Sequence, residues 1–161
     1  MTVWNRVRAR RKGLPTFDQG DDGPEPDHAH LLTVLAGADP ARLAALAEAL
    51  LPQLGPVEVV QSRAGLVMLP LRDTVRGTDF HLGEVLVAEA HLRAAGVEGY
   101  GMVLGRDLQR AVAMAVVDAA ACLAPMPEIK AFLHHEARRI DAADTARLRD
   151  VEATRVDMET F

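Results

Sequence analysis

Between Phe80 and Ala120 the chain carries two runs of β character, a glycine-containing turn between them, and a helix-forming run directly afterwards. The first run extends from Phe80 to Arg93, the turn lies in Ala94-Ala95-Gly96-Val97-Glu98, and the second run is Gly99-Tyr100-Gly101-Met102-Val103-Leu104. Asp107 stands immediately before the run Leu108 to Ala120, where its carboxylate can accept from the free N–H groups of a first helical turn. A hairpin feeding a helix this closely leaves few folds open. It predicts a small α+β domain in which the helix packs back on the strands.

The flanking sequence fits that frame. Leu31, Leu32 and Leu35 give a short apolar helical face, which Gly37 ends. Asp39-Pro40 starts a second helix, with Asp39 as N-cap and Pro40 at the first helical position, where a missing N–H is harmless. Leu43, Leu46, Ala47, Leu50 and Leu54 form its stripe, and Gly55-Pro56 ends it. Val57 to Gln61 reads as a strand, Arg63-Ala64-Gly65 as a turn, and Leu66 to Leu69 as a returning strand, with a polar loop from Arg72 to Thr78. Short connections make a four-stranded antiparallel meander the economical topology. Val85, Leu86, Val87 and Ala88 are all apolar, so that strand is buried on both faces or keeps one for a partner. After the helix with Leu108, Val112, Ala115, Val116, Ala119 and Leu123 on one side, Pro125 and Pro127 break the chain. A last helical region from Glu128 presents Ile129, Phe132, Leu133, Ile140, Leu148 and Val151 as its stripe, with a break expected near Asp141 to Thr145. An extended tail follows from Thr154.

Residues 1–27 read as a disordered charged tail ahead of a single domain over residues 28–161. Arg6, Arg8, Arg10, Arg11 and Lys12 are answered by Asp18, Asp21, Asp22, Glu25 and Asp27, and so little apolar surface cannot offset the entropy of ordering. The net charge of −5 therefore belongs to the domain. Together with an aromatic content of 4%, it argues against nucleic acid as a partner, since both the cationic footprint and the stacking platforms are lacking. No apolar run reaches the roughly 18 residues of a membrane span, and the basic N-terminus lacks the apolar segment of a secretory signal. Cys122 is the one cysteine, so no internal disulfide can form, in keeping with a reducing cytoplasm.

No catalytic constellation stands out. Gly99, Gly101 and Gly105 superficially resemble a dinucleotide fingerprint, but they fall within a β-alternating run rather than in a strand-to-helix turn. Gly99, Gly101 and Val103 share one strand face, leaving it shallow, while Tyr100, Met102 and Leu104 share the other. The corner Gly105-Arg106-Asp107 precedes a helix N-terminus, a natural anion site. Asp107 would occupy those donors itself, which leaves Arg106 as the candidate for an anionic ligand or a partner carboxylate. The histidines pair in sequence as His28 and His30, His81 and His91, and His134 and His135. None has metal-ligand spacing, so no metal or cofactor is expected in this chain. Ser62 is the only serine, with no base beside it. Cys122, in an alanine-rich helix, reads as a small buried side chain rather than a nucleophile. Glu84 and Glu89 are carboxylates among apolar strand residues, placed for catalysis, for an arginine of another subunit, or for water. Arg155 and Asp157, two apart in an extended segment, share a face suited to docking on a neighbouring chain.

The stretches Phe80-His81-Leu82-Gly83-Glu84-Val85-Leu86-Val87, Gly99-Tyr100-Gly101-Met102-Val103-Leu104-Gly105-Arg106-Asp107 and Ala153-Thr154-Arg155-Val156-Asp157 closely resemble the PhnG subunit family of the phosphonate carbon–phosphorus lyase system. Leu35-Ala36, Pro40-Ala41-Arg42-Leu43 and Gly65-Leu66-Val67 extend the likeness from about residue 28 to the end, while the ending Met158-Glu159-Thr160-Phe161 departs from the family's aromatic tail. The resemblance implies a bacterial cytoplasmic protein that assembles with H, I and J subunits. Their complex transfers a phosphonate to the ribose C1 of ATP and releases adenine, giving a ribose 1-phosphonate 5-triphosphate. It also implies that the I subunit carries the nucleotide chemistry and that an iron–sulfur cluster resides on the J subunit. Glu84, Arg106, Arg155 and Asp157 become partner- or phosphate-contact candidates. Gly83, Gly101, Gly105 and Asp107 become structural ones, and the glycine-faced strand a surface shaped for another subunit. An assembly role, a direct contribution to a phosphate-binding site, and a self-associating ligand-binding module unrelated to phosphonates are the competing readings; the isolated chain is a candidate homodimer.

Overall fold

The structure, a computed structural model, describes residues 28–155. It is an α+β fold in the order α1 (His28–Gly37), α2 (Pro40–Leu54), β1 (Val57–Arg72), β2 (Asp79–Ala94), β3 (Val97–Leu104), α3 (Leu108–Leu123) and α4 (Pro127–Ala153). The strands form one antiparallel sheet in the order β1-β2-β3. Among the described residues no helix is long and apolar enough to cross a membrane.

The expected four-stranded meander is corrected to three strands, because Arg63-Ala64-Gly65 does not turn. These residues stay extended opposite Glu89, Ala88 and Val87. With β2 running 16 residues, a continuous β1 finds a partner for its whole length. A turn at Gly65 would instead leave half of the β2 ladder unpaired. The slack is taken up locally, by register shifts between Val59 and Gln61 and between Leu69 and Pro70.

The hairpin and helix that follow have the expected form. Ala95 and Gly96 make the two-residue connection with φ of 47° and 81°, the left-handed pair that matches the twist of the flanking strands. Asp107 caps α3 by accepting from the Arg110 N–H at 2.9 Å, and Asp39 caps α2 through the Arg42 N–H at 3.0 Å. The helix α3 lies against β2 and β3 on one side and α2 on the other. Its residues from Ala111 to Ala120 are therefore buried except for Val112, a broader burial than one apolar stripe.

The glycine-faced strand is corrected as well: its shallow side is filled by α3 and not offered to another subunit. A Cβ on Gly99 would stand 2.1 Å from the Ala115 carbonyl oxygen, and one on Gly101 would stand 2.1 Å from that of Ala111. Helix and strand touch backbone to backbone here, and Ala88, Ala90, Leu92 and Val103 complete the same buried face.

The last helix runs unbroken through Asp141 to Thr145, so the expected interruption is absent. Its buried stripe is also shorter than expected. Ile129, Phe132 and Leu133 are buried and Ile140 partly so, but Leu148 is 69% and Val151 61% exposed, because the helix has by then run past the elements it packs on. Glu136 continues the stripe instead, fully buried, its Oε2 2.8 Å from Arg139 Nε and accepting from the Asp39 N–H at 3.0 Å. Its Oε1 lies 3.1 Å from Arg42 Nε. Burial pushes this carboxyl up. The hydrogen bonds from Arg139 and Asp39 and the charges of Arg139 and Arg42 outweigh it, holding the group below the usual range.

Candidate partner-binding surface

The strand β3 ends at Leu104, opposite Val87, while β1 and β2 continue as a two-stranded arm. Seven register pairs, from Leu66 with Leu86 to Arg72 with Asp79, lie beyond the third strand. Residues 73–78 close the tip. Asp73 holds it by accepting from the N–H groups of Val75 and Arg76, and Arg72 Nε donates to the Gly77 carbonyl. Along this arm Leu66 (61% exposed), Met68, Leu71, Phe80 and Leu82 (63%) face solvent. A two-stranded ribbon is marginal by itself in water, and an apolar one is more so. The arm thus has the composition of an interface.

Glu84 sits on the arm opposite Met68, exposed. Gly83 adjoins the bulge made by Leu82, where the pairing steps from Leu69 with Gly83 to Pro70 with His81. The corner at the arm's base brings in the next candidates. Gly105, at φ 94°, turns the chain out of β3 and donates its N–H to Leu86 O at 2.9 Å. Arg106 follows, exposed, and makes no side-chain hydrogen bond or ion pair among the described residues. Arg110, one turn into α3, donates to the carbonyls of Ala36 and Ala38 and ties the corner to the α1–α2 junction. Arg155 lies past the end of α4, paired with Glu152 at 3.2 Å. Asp157 lies outside the described residues, so the expected Arg155–Asp157 face is not visible.

A second polar centre lies on the sheet face opposite α3. Glu89 accepts from Arg63 Nε at 2.6 Å, from Tyr100 Oη at 3.2 Å and from the Gln61 amide. Burial raises its pKa, but these donors and the Arg63 charge pull it below the ordinary value. Burial and the Glu89 charge in turn push the Tyr100 phenol up to about 12, so it stays a donor. Glu89 is therefore saturated by its own chain, and the isolated carboxylate of the sequence is a cross-strand tie.

The residues that sequence reasoning missed are acids in apolar runs. Asp118 is buried in α3, its Oδ2 accepting from the Tyr100 N–H at 2.8 Å and its Oδ1 2.7 Å from His28 Nε2. It satisfies a donor on the outer edge of β3. The signal was present, since an aspartate inside Ala113-Met114-Ala115-Val116-Val117-Asp118-Ala119-Ala120 is out of place in a solvated helix and in a plain core alike. Cys122 follows one turn later at an exposed position, which corrects the expected buried side chain; partial desolvation of the thiol and the Asp118 charge push its pKa up.

The profile of the family described as phosphonate metabolism protein PhnG matches residues 27–161. A protein of Rhizobium meliloti (strain 1021) described as alpha-D-ribose 1-methylphosphonate 5-triphosphate synthase subunit PhnG is 35% identical over 112 residues, which is 68% of this chain and 70% of that one. The match takes in every described element, the arm and the corner included, and on that extent the chain belongs to the PhnG family of phosphonate metabolism proteins.

Proposed function

We propose that this chain is an assembly subunit of a multi-subunit synthase in phosphonate catabolism, which transfers a phosphonate to the ribose C1 of ATP with release of adenine. Its partners are the H, I and J subunits, in the cytoplasm, with the nucleotide chemistry on the I subunit and the iron–sulfur cluster on the J subunit. Support for a subunit role comes from the family and from the relative's description as a synthase subunit. The observation that carries the assembly role is the arm: exposed Leu66, Met68, Phe80 and Leu82 on a ribbon that its own domain leaves uncovered. Leu148 and Val151 on the projecting end of α4 offer a second apolar contact. Co-expression of the tagged chain with the I subunit tests this reading. The two co-purify from the intact chain, and failure to do so overturns it.

A second reading, a direct contribution to phosphate binding, is favoured by Arg106. An exposed guanidinium without a partner among the described residues can meet a phosphate oxygen, although the adjacent Asp107 carboxylate disfavours an anion on the helix N-terminus itself. In the assembled complex, Arg106→Ala leaves adenine release within about twofold of wild type on the assembly reading. Normal assembly with collapsed adenine release establishes the second reading instead.

A further inference from the structure

We propose that His28, Asp118 and Cys122 form a binding site for one zinc-class divalent cation. The fold, and not sequence proximity, brings them together. His28 opens α1, whereas Asp118 and Cys122 lie one turn apart on α3, so their side chains share a face. One ligand atom from each lies within 4.8 Å of the other two. Imidazole, thiolate and carboxylate together suit zinc and its neighbours, whereas magnesium and calcium prefer oxygen alone.

The surroundings are those of a ligand set. Asp118 is 2% exposed, and its Oδ2 is fixed by the Tyr100 backbone N–H, which leaves Oδ1 directed at His28. A ligating carboxylate is characteristically oriented by such an outer hydrogen bond. His28 is half-exposed and Cys122 exposed, so a cation can enter from solvent. An ion pair between His28 and Asp118 would by itself fasten α1 to α3, but it gives no reason for a thiol beside them.

Binding is balanced by proton release. The Cys122 thiol gives its proton to solvent and the sulfur bonds the cation. His28 presents the Nε2 lone pair with its hydrogen on Nδ1, and Asp118 binds through a carboxylate oxygen. The three donors among the described residues leave a fourth tetrahedral position for water. One proton is released per cation when His28 starts neutral, and affinity falls as pH is lowered.

Cobalt and zinc titrations of the full-length chain test the proposal. Cobalt is expected to bind one per chain with a thiolate-to-cobalt charge-transfer band, and zinc to displace it. That band reports Cys122 alone, since the chain has no other cysteine. Cys122→Ser, at an exposed position, abolishes the band and weakens zinc binding by more than the roughly 10–100-fold typical of outer-shell losses. Asp118→Asn keeps an acceptor for the Tyr100 N–H yet also weakens zinc. Absence of saturable binding, saturable binding without the charge-transfer band, or zinc affinity unchanged in Cys122→Ser would each overturn the site.

Discussion

The two ends of the β1–β2 ribbon are built from similar residues and do opposite things. At the base, Ala88, Ala90 and Leu92 lie under α3, and Gly99 and Gly101 let helix and strand backbones meet. Toward the tip, Leu66, Met68, Phe80 and Leu82 are just as apolar and stay in water. Hydrophobicity therefore does not separate core from exposed arm in this chain. What separates them is whether a third strand and a helix arrive, and both stop at the Leu104–Asp107 corner.

The sharpest way to break the base is Gly101→Ala. The added methyl meets backbone atoms of Ala111 and Ala115, which cannot rotate away, so the loss of stability should reach about 3 kcal/mol or more. Urea denaturation measures it, and a loss under about 1 kcal/mol would show that α3 is not held as closely as described.

Next comes Glu136→Gln. It removes the charge that Arg42 and Arg139 share, and both arginines remain half-exposed and can be rehydrated. The expected loss at neutral pH is about 1.5–3 kcal/mol, the range for a hydrogen bond to a charged group. Because the folded carboxyl titrates below its ordinary value, its contribution is full above the ordinary carboxylate range. It is lost as pH falls through the lowered folded value. The gap between variant and wild type should accordingly close in acid, and a gap independent of pH would assign it to packing.

For the arm, Leu66→Ser with Leu82→Ser should change the stability of the isolated chain by no more than about 0.5 kcal/mol per site, as for open surface. Co-purification with the I subunit should fall severalfold. Loss of folding with retained assembly would reverse the contrast between the two ends. The smallest effect is expected at the hairpin connection. Ala95, a non-glycine residue at positive φ, becomes neutral to about 1 kcal/mol more stable as glycine, since strain relief and added unfolded-state entropy oppose each other.

How far these features could be read from sequence follows the same division. Hairpin, connection, both aspartate caps and the α+β class depend on local chemistry, and Gly96, Asp39 and Asp107 announce them. Gly65 misled because a glycine in a strand looks like a turn until a 16-residue partner is known to lie opposite. Leu148 and Val151 keep helical spacing with Ile140, but periodicity describes a face and cannot say whether anything covers it. Of the candidate site, Arg106 stood out in the sequence beside a helix N-terminus and Glu84 as a carboxylate among apolar strand residues, and both side chains are exposed. Glu89 looked isolated because Gln61 and Arg63 reach it only through the strand register. His28 and Asp118, ninety positions apart, meet only through the docking of α1 beside α3.

The seven register pairs beyond β3 also set a length. At about 3.3 Å per residue the arm reaches roughly 20 Å from the domain. A partner seated on its tip would be held at that standoff, as a spacer holds two plates apart. Because side chains alternate with a period of two, removing two pairs would shorten the reach by roughly 7 Å and keep every remaining residue on its face. Removing one would turn the tip over. The arm is a ruler graduated in steps of two residues.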